Sequence, residues 1–189
     1  MTSSPTVIFG AGGIGHPEKS FTFTWETPEA VSELLSTLQS LDIHELDSSA
    51  PYPPGNAWHT ETLLGEAKAV EKGFIIDSKV LKYGPLTEEN ITSSVDRTLS
   101  LLGGSKIRLL YAHEPDATTP LEETAAALDK VGFDQEWVQQ VARYFEICDQ
   151  KGFVRPSVYQ GHYNALIRGH EETLMPLLLH SAEVSSQEK

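Results

Sequence analysis

A repeated order of short apolar runs and longer amphipathic segments is the feature that most constrains the fold of this chain. The apolar runs at 43–47, 74–80 and 107–113 each precede a segment whose apolar residues have helical spacing. Strands and helices that alternate in this way, with short connections, favour a parallel sheet with right-handed crossovers. The order therefore predicts an α/β fold in a single domain at 1–180, with a solvated tail at 181–189.

The helical segments are marked by capping residues. Thr27 precedes Pro28 and Glu29, which is the order of an N-cap residue, a proline at the first helical position and an acid in the first turn. Thr87 and Thr119 stand at similar starts. From the spacing of apolar residues we predict helices at 27–41, 61–71, 87–102, 119–130, 133–150 and 171–180.

Polar residues stand where the predicted strands end. Asp47, Lys79 and His113 occupy or follow the last strand positions, and Tyr52 lies beyond Asp47 in a loop with three prolines. Since proline fixes its own φ and restricts the residue before it, that loop should be stiff. In a barrel of parallel strands, the carboxyl ends of the strands form the face where chemistry occurs. An acid, a phenol, an amine and an imidazole there could transfer protons, although Tyr52 alone is read more simply as part of a surface turn.

A glycine-rich turn follows a first strand-like run at 6–9. Gly10, Gly12 and Gly15 fit the spacing G-x-G-x-x-G, which in dinucleotide-binding folds holds a pyrophosphate at the start of a helix. Here the loop-like residues 16–20 come next, where that motif requires a helix. The sequence therefore favours a simple turn over a phosphate-binding site.

Composition and charge narrow the functional classes. The 189 residues carry a formal charge of −13, which argues against a nucleic-acid or anionic-membrane partner. Cys148 is the single cysteine, so an intrachain disulfide is impossible and a reducing, cytoplasmic location is the simpler expectation. No secretory signal opens the sequence, and no apolar run approaches the ~18 residues of a membrane span. The histidines lack the helical spacing of a metal site, so no metal is expected.

Four longer stretches of the sequence resemble a known protein family. They are LDSSAPYPPG with the following TETLLGEA, FIIDSKV, LLYAHEPDATTPLEETAAAL, and the distinctive RPSVYQGHYNALIRGHEETLMPLL. In these segments the chain resembles the aldo-keto reductase superfamily, in its aflatoxin-aldehyde-reductase-like and fungal branch, from Val7 to about Leu179. The resemblance implies an (α/β)8 barrel, NADPH-dependent reduction of aldehydes or ketones and, for the fungal branch, a role in secondary metabolism.

The resemblance also implies roles for individual residues. Tyr52 corresponds to the general acid that protonates the carbonyl oxygen, and Lys79 to the cation beside it. Asp47 corresponds to the carboxylate that pairs with Lys79, and His113 to the imidazole that orients the carbonyl. Gln160 matches the position that contacts the nicotinamide amide. These roles agree with elementary chemistry, because a phenol is a poor acid–base catalyst at neutral pH unless a cation favours its phenolate.

Two departures from the family bear on the cofactor and the fold. After residue 131 the chain passes directly to the next helix, where the family has a strand, and the family's last strands lack a counterpart. Most of the NADPH site is therefore expected to be absent. Since a complete barrel needs ~250 residues, we expect a partial, half-like TIM-type barrel of about four to five parallel strands. The open edges of such a sheet predict a homodimer that closes or covers them. The core strands are predicted at 43–47, 74–79, 107–113 and 157–160.

The sequence leaves three functions open. The first is NADPH-dependent reduction of a small carbonyl substrate. The second is a cofactor-independent isomerase, dehydratase or cyclase that uses the same acid–base residues on a carbonyl compound. The third is a non-catalytic relative that binds a partner. Candidate substrate contacts are Trp58 and His59, in the loop after Tyr52, and His162 and Tyr163, which closely follow Gln160.

Overall fold

The computed structural model describes residues 7–15, 25–81, 84–104, 107–114, 116–131, 138–154 and 175–176. The strands are β1 (Ile8–Gly10), β2 (Glu45–Asp47), β3 (Ile75–Lys79) and β4 (Leu110–Tyr111). The helices are α1 (Pro28–Ser40), α2 (His59–Glu66), α3 (Glu88–Leu101), α4 (Leu121–Val131) and α5 (Val138–Lys151), and a 3-10 turn covers Ala11–Gly13. The strand predicted at 157–160, most of the helix predicted at 171–180 and the tail at 181–189 lie outside the described residues.

The four described strands form one parallel sheet in the order β1-β2-β3-β4. Leu46 of β2 is paired with Phe9 of β1 on one side and with Ile76 of β3 on the other. Lys79 of β3 is paired with Tyr111 of β4. This arrangement confirms the predicted α/β fold with parallel strands. β1, the first strand in the order of the described sheet, overlaps the strand-like run at 6–9.

The two faces of the sheet differ in chemistry. Leu46 and Ile76 are buried in a core that they share with α1 and α2. Because neighbouring residues of a strand point to opposite faces, Asp47 and Lys79 lie on the other face of the sheet. The carboxyl ends of β2 and β3 therefore place a carboxylate and an amine on the same side, away from the helices.

Capping explains where the longer helices begin. The Thr27 hydroxyl accepts a hydrogen bond from the Ala30 backbone N–H at 3.2 Å, so α1 starts at Pro28 as predicted. Thr87 caps α3 in the same way, accepting from the Asn90 N–H. The α1 side chains that face the core are Val31, Leu34, Leu35 and Leu38, as their helical spacing predicts. Leu41, which the same spacing places on that face, follows the end of the helix and is 64% exposed.

Some predicted boundaries are wrong. The helix predicted at 61–71 is α2, which begins at His59 and ends at Glu66, because Lys68 takes a left-handed conformation with φ of 59°. The strand predicted at 107–113 is reduced to the two residues of β4. The Asp77 carboxylate accepts the Leu109 N–H at 3.2 Å, so a side chain takes a donor that a regular ladder would pair with backbone.

No helix in the described part of the chain is long and apolar enough to cross a membrane.

Candidate active site

A buried ion pair lies at the carboxyl ends of β2 and β3. The Lys79 ammonium donates to an Asp47 carboxylate oxygen at 2.5 Å and to the Ser48 backbone oxygen at 2.8 Å. The Lys79 side chain is 7% exposed and that of Asp47 is 17% exposed. Burial lowers the pKa of Lys79, while the Asp47 carboxylate opposes that change. The structure therefore places the Lys79 amine against the Asp47 carboxylate in a largely dry position.

Tyr52 and His113 complete a cluster around Lys79. The Lys79 Nζ lies 5.4 Å from the centre of the Tyr52 ring and 5.5 Å from that of Tyr111. The Tyr52 and His113 rings meet edge to face, with centroids 5.9 Å apart. The structure thus brings together the four residues that strand ends and the proline-rich loop predicted, and Tyr111 adds a second phenol ring beside the amine.

Ser49 is a site residue that the sequence reasoning missed. Its hydroxyl lies 2.9 Å from Nδ1 of His113, and the serine is fully buried. The signal was present in the sequence, because a serine two residues after a strand end can reach a polar side chain near the end of another strand. The missed contact connects the segment that carries Asp47 to the segment that carries His113.

Glu61 is a second buried polar residue that the sequence reasoning did not single out. It lies in the first turn of α2, where an acid is ordinarily explained by the helix dipole, yet it is fully buried. The Ser78 hydroxyl donates to one carboxyl oxygen at 2.5 Å and the Thr98 hydroxyl to the other at 2.8 Å. Burial raises the pKa of Glu61, and these two hydroxyls and Lys79 oppose the rise. A polar residue such as Ser78 inside a buried strand was the available signal for a buried partner.

The glycine-rich turn packs against the loop that carries Tyr52. A Cβ placed on Gly12 would lie 3.5 Å from the Tyr52 ring, and one on Gly15 would lie 2.6 Å from the Pro53 ring. The Thr60 hydroxyl donates to the Ile14 backbone oxygen at 2.7 Å. The turn therefore supports the Tyr52 loop, in agreement with the preference for a turn over a phosphate site.

Arg108 joins two further acids on the face of the sheet that carries Asp47 and Lys79. Its guanidinium contacts the Glu45 carboxylate at 2.6 Å and donates twice to Asp77, at 2.6 and 2.9 Å. Hydrogen bonds to Asp77 raise the pKa of Arg108, so the group is permanently cationic. These contacts pair the almost fully buried Asp77 and connect β2 and β3 to the segment that leads into β4.

A cavity of about 200 Å3 opens beside the loop that follows Tyr52. Trp58 lines it, and the Arg97 guanidinium stacks on the indole at 4.1 Å from the ring centre. Trp58 has a left-handed backbone with φ of 64°, and its indole N–H is buried without a hydrogen-bond partner among the described residues. The rest of the lining is mixed: Val80, Leu81, Pro85, Leu86, Asn90, Ile91, Ser93 and Ser94.

The remaining predicted site residues fall in different places. His59 is half-buried and begins α2, one residue after Trp58. Gln160, His162 and Tyr163 lie outside the described residues, so their predicted contacts stay predictions. Within the parts of the chain that the structure describes, no group of three or more histidine, cysteine or acidic side chains could hold a metal ion.

Comparison with known proteins places this cluster in a family. Residues 6–184 match the family described as the aldo/keto reductase family. The chain belongs to the aldo/keto reductase family. This membership confirms the resemblance that the sequence segments indicated, and it agrees with a partial barrel of parallel strands.

Individual relatives give the same result. The chain is 30% identical over 188 residues to oxidoreductase sirO of Leptosphaeria maculans, covering 93% of this chain and 56% of that protein. It is 31% identical over 156 residues to human aflatoxin B1 aldehyde reductase member 2, covering 72% and 41%. A crystal structure of the thermostable aldo-keto reductase Tm1743, bound to the inhibitor epalrestat, superposes with a TM-score of 0.68 at 25% identity, covering 89% of this chain and 62% of that one. The chain thus spans about half the length of the curated relatives it matches.

Proposed function

We propose that this aldo/keto reductase family member reduces the carbonyl group of a small aldehyde or ketone, with NADPH as hydride donor. The observation that carries the proposal is the cluster of Tyr52, Lys79, Asp47 and His113 at the carboxyl ends of neighbouring parallel strands. The family match supports the reaction class. A role in secondary metabolism rests on the likeness to fungal relatives and is part of the same proposal.

The four side chains have distinct parts in the proton chemistry. Tyr52 donates its phenol proton to the carbonyl oxygen as negative charge develops there. The Lys79 cation, held by Asp47 at 2.5 Å, lies near the Tyr52 ring and favours the phenolate that remains. His113, edge to face with Tyr52, orients the carbonyl oxygen toward the phenol. Each role is a short-range electrostatic or hydrogen-bonding effect that the observed packing allows.

The hydride donor is inferred from the family resemblance. When bound, NADPH supplies the hydride that reduces the carbonyl carbon. The G-x-G-x-x-G turn does not fit its phosphates, because Tyr52 and Pro53 fill the space beside Gly12 and Gly15. Gln160 is proposed, from the resemblance alone, as the contact of the nicotinamide amide.

Substrate contacts are proposed at the cavity beside Trp58. Its apolar wall and the exposed Arg97 suit a substrate with a hydrophobic body and a polar end. His59 follows Trp58 in the chain, and His162 and Tyr163 complete the set that the sequence suggested. A homodimer is proposed as well, because Ile8 and Ile75 of the sheet are 44% exposed.

The experiment compares the purified wild-type chain with Tyr52→Phe in NADPH oxidation assays over a panel of aldehydes and ketones. Tyr144→Phe is the matched control, because Tyr144 is buried in a separate cluster with α4 and α5 and the same hydroxyl is removed. We expect loss of turnover by about 10²-fold or more in Tyr52→Phe only, the scale of a lost general acid. The same substrates are also incubated with the wild type without NADPH and followed by chromatography; their conversion there would replace this proposal with cofactor-independent acid–base catalysis.

A further inference from the structure

A hydrogen bond joins the side chains of Ser49 and His113. The two residues are 64 positions apart in the sequence, and their side chains meet with Ser49 Oγ 2.9 Å from Nδ1 of His113. Ser49 is fully buried. A neutral imidazole carries its proton on one nitrogen only, so a partner on Nδ1 influences which nitrogen that is.

The environment of the serine favours one direction for this hydrogen bond. If Nδ1 carried the proton and donated to Ser49, the hydroxyl would need a second acceptor for its own hydrogen. In the described ranges of the chain, the Ser49 hydroxyl makes its hydrogen bond with Nδ1 of His113. Since Ser49 has no access to water, donation from Ser49 to Nδ1 satisfies the hydroxyl with a single bond.

The backbone holds both ends of the contact in place. His113 has a left-handed backbone with φ of 35°, which is uncommon for a residue other than glycine. The Ser49 backbone oxygen accepts the Tyr52 N–H at 3.0 Å, so the serine lies at the base of the turn that carries the phenol. The same residue thus touches the backbone of Tyr52 and the ring of His113.

We propose that Ser49 is a positioning residue, whose hydroxyl donates to Nδ1 of His113 and thereby keeps the imidazole proton on Nε2. An Nε2–H is a hydrogen-bond donor, so this tautomer can hold a carbonyl oxygen while Tyr52 donates the reacting proton. The use of this tautomer in carbonyl reduction rests on the proposed function. The tautomer itself does not, and it can be measured without substrate.

The test is a long-range proton–nitrogen NMR spectrum of the full chain labelled with 15N-histidine. The pH is set about two units above the ordinary histidine pKa of ~6.5, so the ring is neutral. His113 is assigned by its absence in His113→Gln. We expect the Nε2–H pattern in the wild type. In Ser49→Ala the ratio of Nε2–H to Nδ1–H should fall by about fivefold, which corresponds to a net hydrogen bond of about 1 kcal/mol.

Ser48→Ala is the matched control. Ser48 is the adjacent serine, equally buried, and its hydroxyl has no hydrogen-bond partner among the described residues. The His113 pattern should stay as in the wild type in this variant. A wild-type spectrum with the proton on Nδ1, or an unchanged tautomer ratio in Ser49→Ala, would overturn the proposal, and neither result depends on turnover. Should Ser49→Ala fail to fold, the wild-type spectrum alone decides.

Discussion

The Lys79 ammonium lies 2.5 Å from the Asp47 carboxylate, although the two residues belong to neighbouring strands and are 32 positions apart in the sequence. Both are largely shielded from water. Removing one partner of such a pair leaves an uncompensated charge in a poorly hydrated place, which costs much more than losing an exposed pair.

For Asp47→Ala we therefore expect the free energy of unfolding to fall by about 3 kcal/mol, measured by urea denaturation. Glu71→Ala is the matched control, since it removes the acid of the exposed pair with Lys68, whose side chains are 65% and 71% exposed. The free energy of unfolding of Glu71→Ala should stay within about 0.5 kcal/mol of the wild-type value. Equal losses in the two variants would show that the Asp47 pair contributes no more than a surface pair.

Gly15 is expected to tolerate no side chain. A Cβ there would lie 2.6 Å from the Pro53 ring, and its φ of 148° is unfavourable for other residues. Gly15→Ala should displace the loop that carries Tyr52, lowering the melting temperature and changing the Tyr52 ring resonances. Gly12→Ala is the control, because its Cβ would make an ordinary contact of 3.5 Å with Tyr52. If Gly15→Ala changed neither the melting temperature nor the Tyr52 ring resonances, the loop would not depend on contact with this turn.

Gly65 allows α2 and α3 to approach each other closely. A Cβ at this position would lie 1.9 Å from the Leu101 backbone oxygen, which cannot move without shifting α3. Gly65→Ala should therefore cost at least the roughly 1–3 kcal/mol of ordinary overpacking, measured by chemical denaturation. Gly10→Ala, where nothing lies within 4 Å of the new Cβ, should be close to neutral. Similar stability of the two variants would contradict the observed helix contact.

Glu61 should make stability depend on pH in a definite direction. Burial raises its pKa in the folded chain above the ordinary value of 4.5, so the folded state binds the proton more tightly than the unfolded state. The stabilisation from this proton is fully present below about pH 4.5 and is lost as pH rises through the raised folded pKa.

Relative to Glu61→Gln, which stays neutral at every pH, wild-type stability should decline across that window. The decline is about 1.4 kcal/mol for each unit by which the pKa is raised. Urea denaturation of both proteins over a pH series measures it. A difference between the two that stays constant with pH, or that grows in favour of the wild type as pH rises, would refute the prediction.

Much of the fold and the meeting of three of the four site residues could be predicted, because both depend on local patterns. Apolar runs between capped amphipathic segments specify parallel strands, and residues at the carboxyl ends of parallel strands meet at one edge. Asp47, Lys79 and His113 follow from that rule. Tyr52 was assigned through the family resemblance, since its loop by itself is read more simply as a surface turn.

The residues that were missed depend on distances that no local pattern encodes. Glu61 reads as a helix-dipole acid until the structure shows Ser78 and Thr98 at its oxygens. Ser49 reads as a small loop residue until His113, 64 positions later, is placed beside it. The end of α2 was mispredicted because its apolar spacing continues beyond Glu66, whereas the backbone of Lys68 turns away from the helix.

The packing of Gly12 and Gly15 on the Tyr52 loop has a consequence for anyone who would redesign this protein. A library that varies residues 53–58 to change substrate preference also varies the surface on which the glycine turn rests. Productive variants should then be found mainly where positions 12 and 15 are kept as glycine or are randomised in the same library. The position of Tyr52 thus depends on two segments that are about 40 residues apart in the sequence.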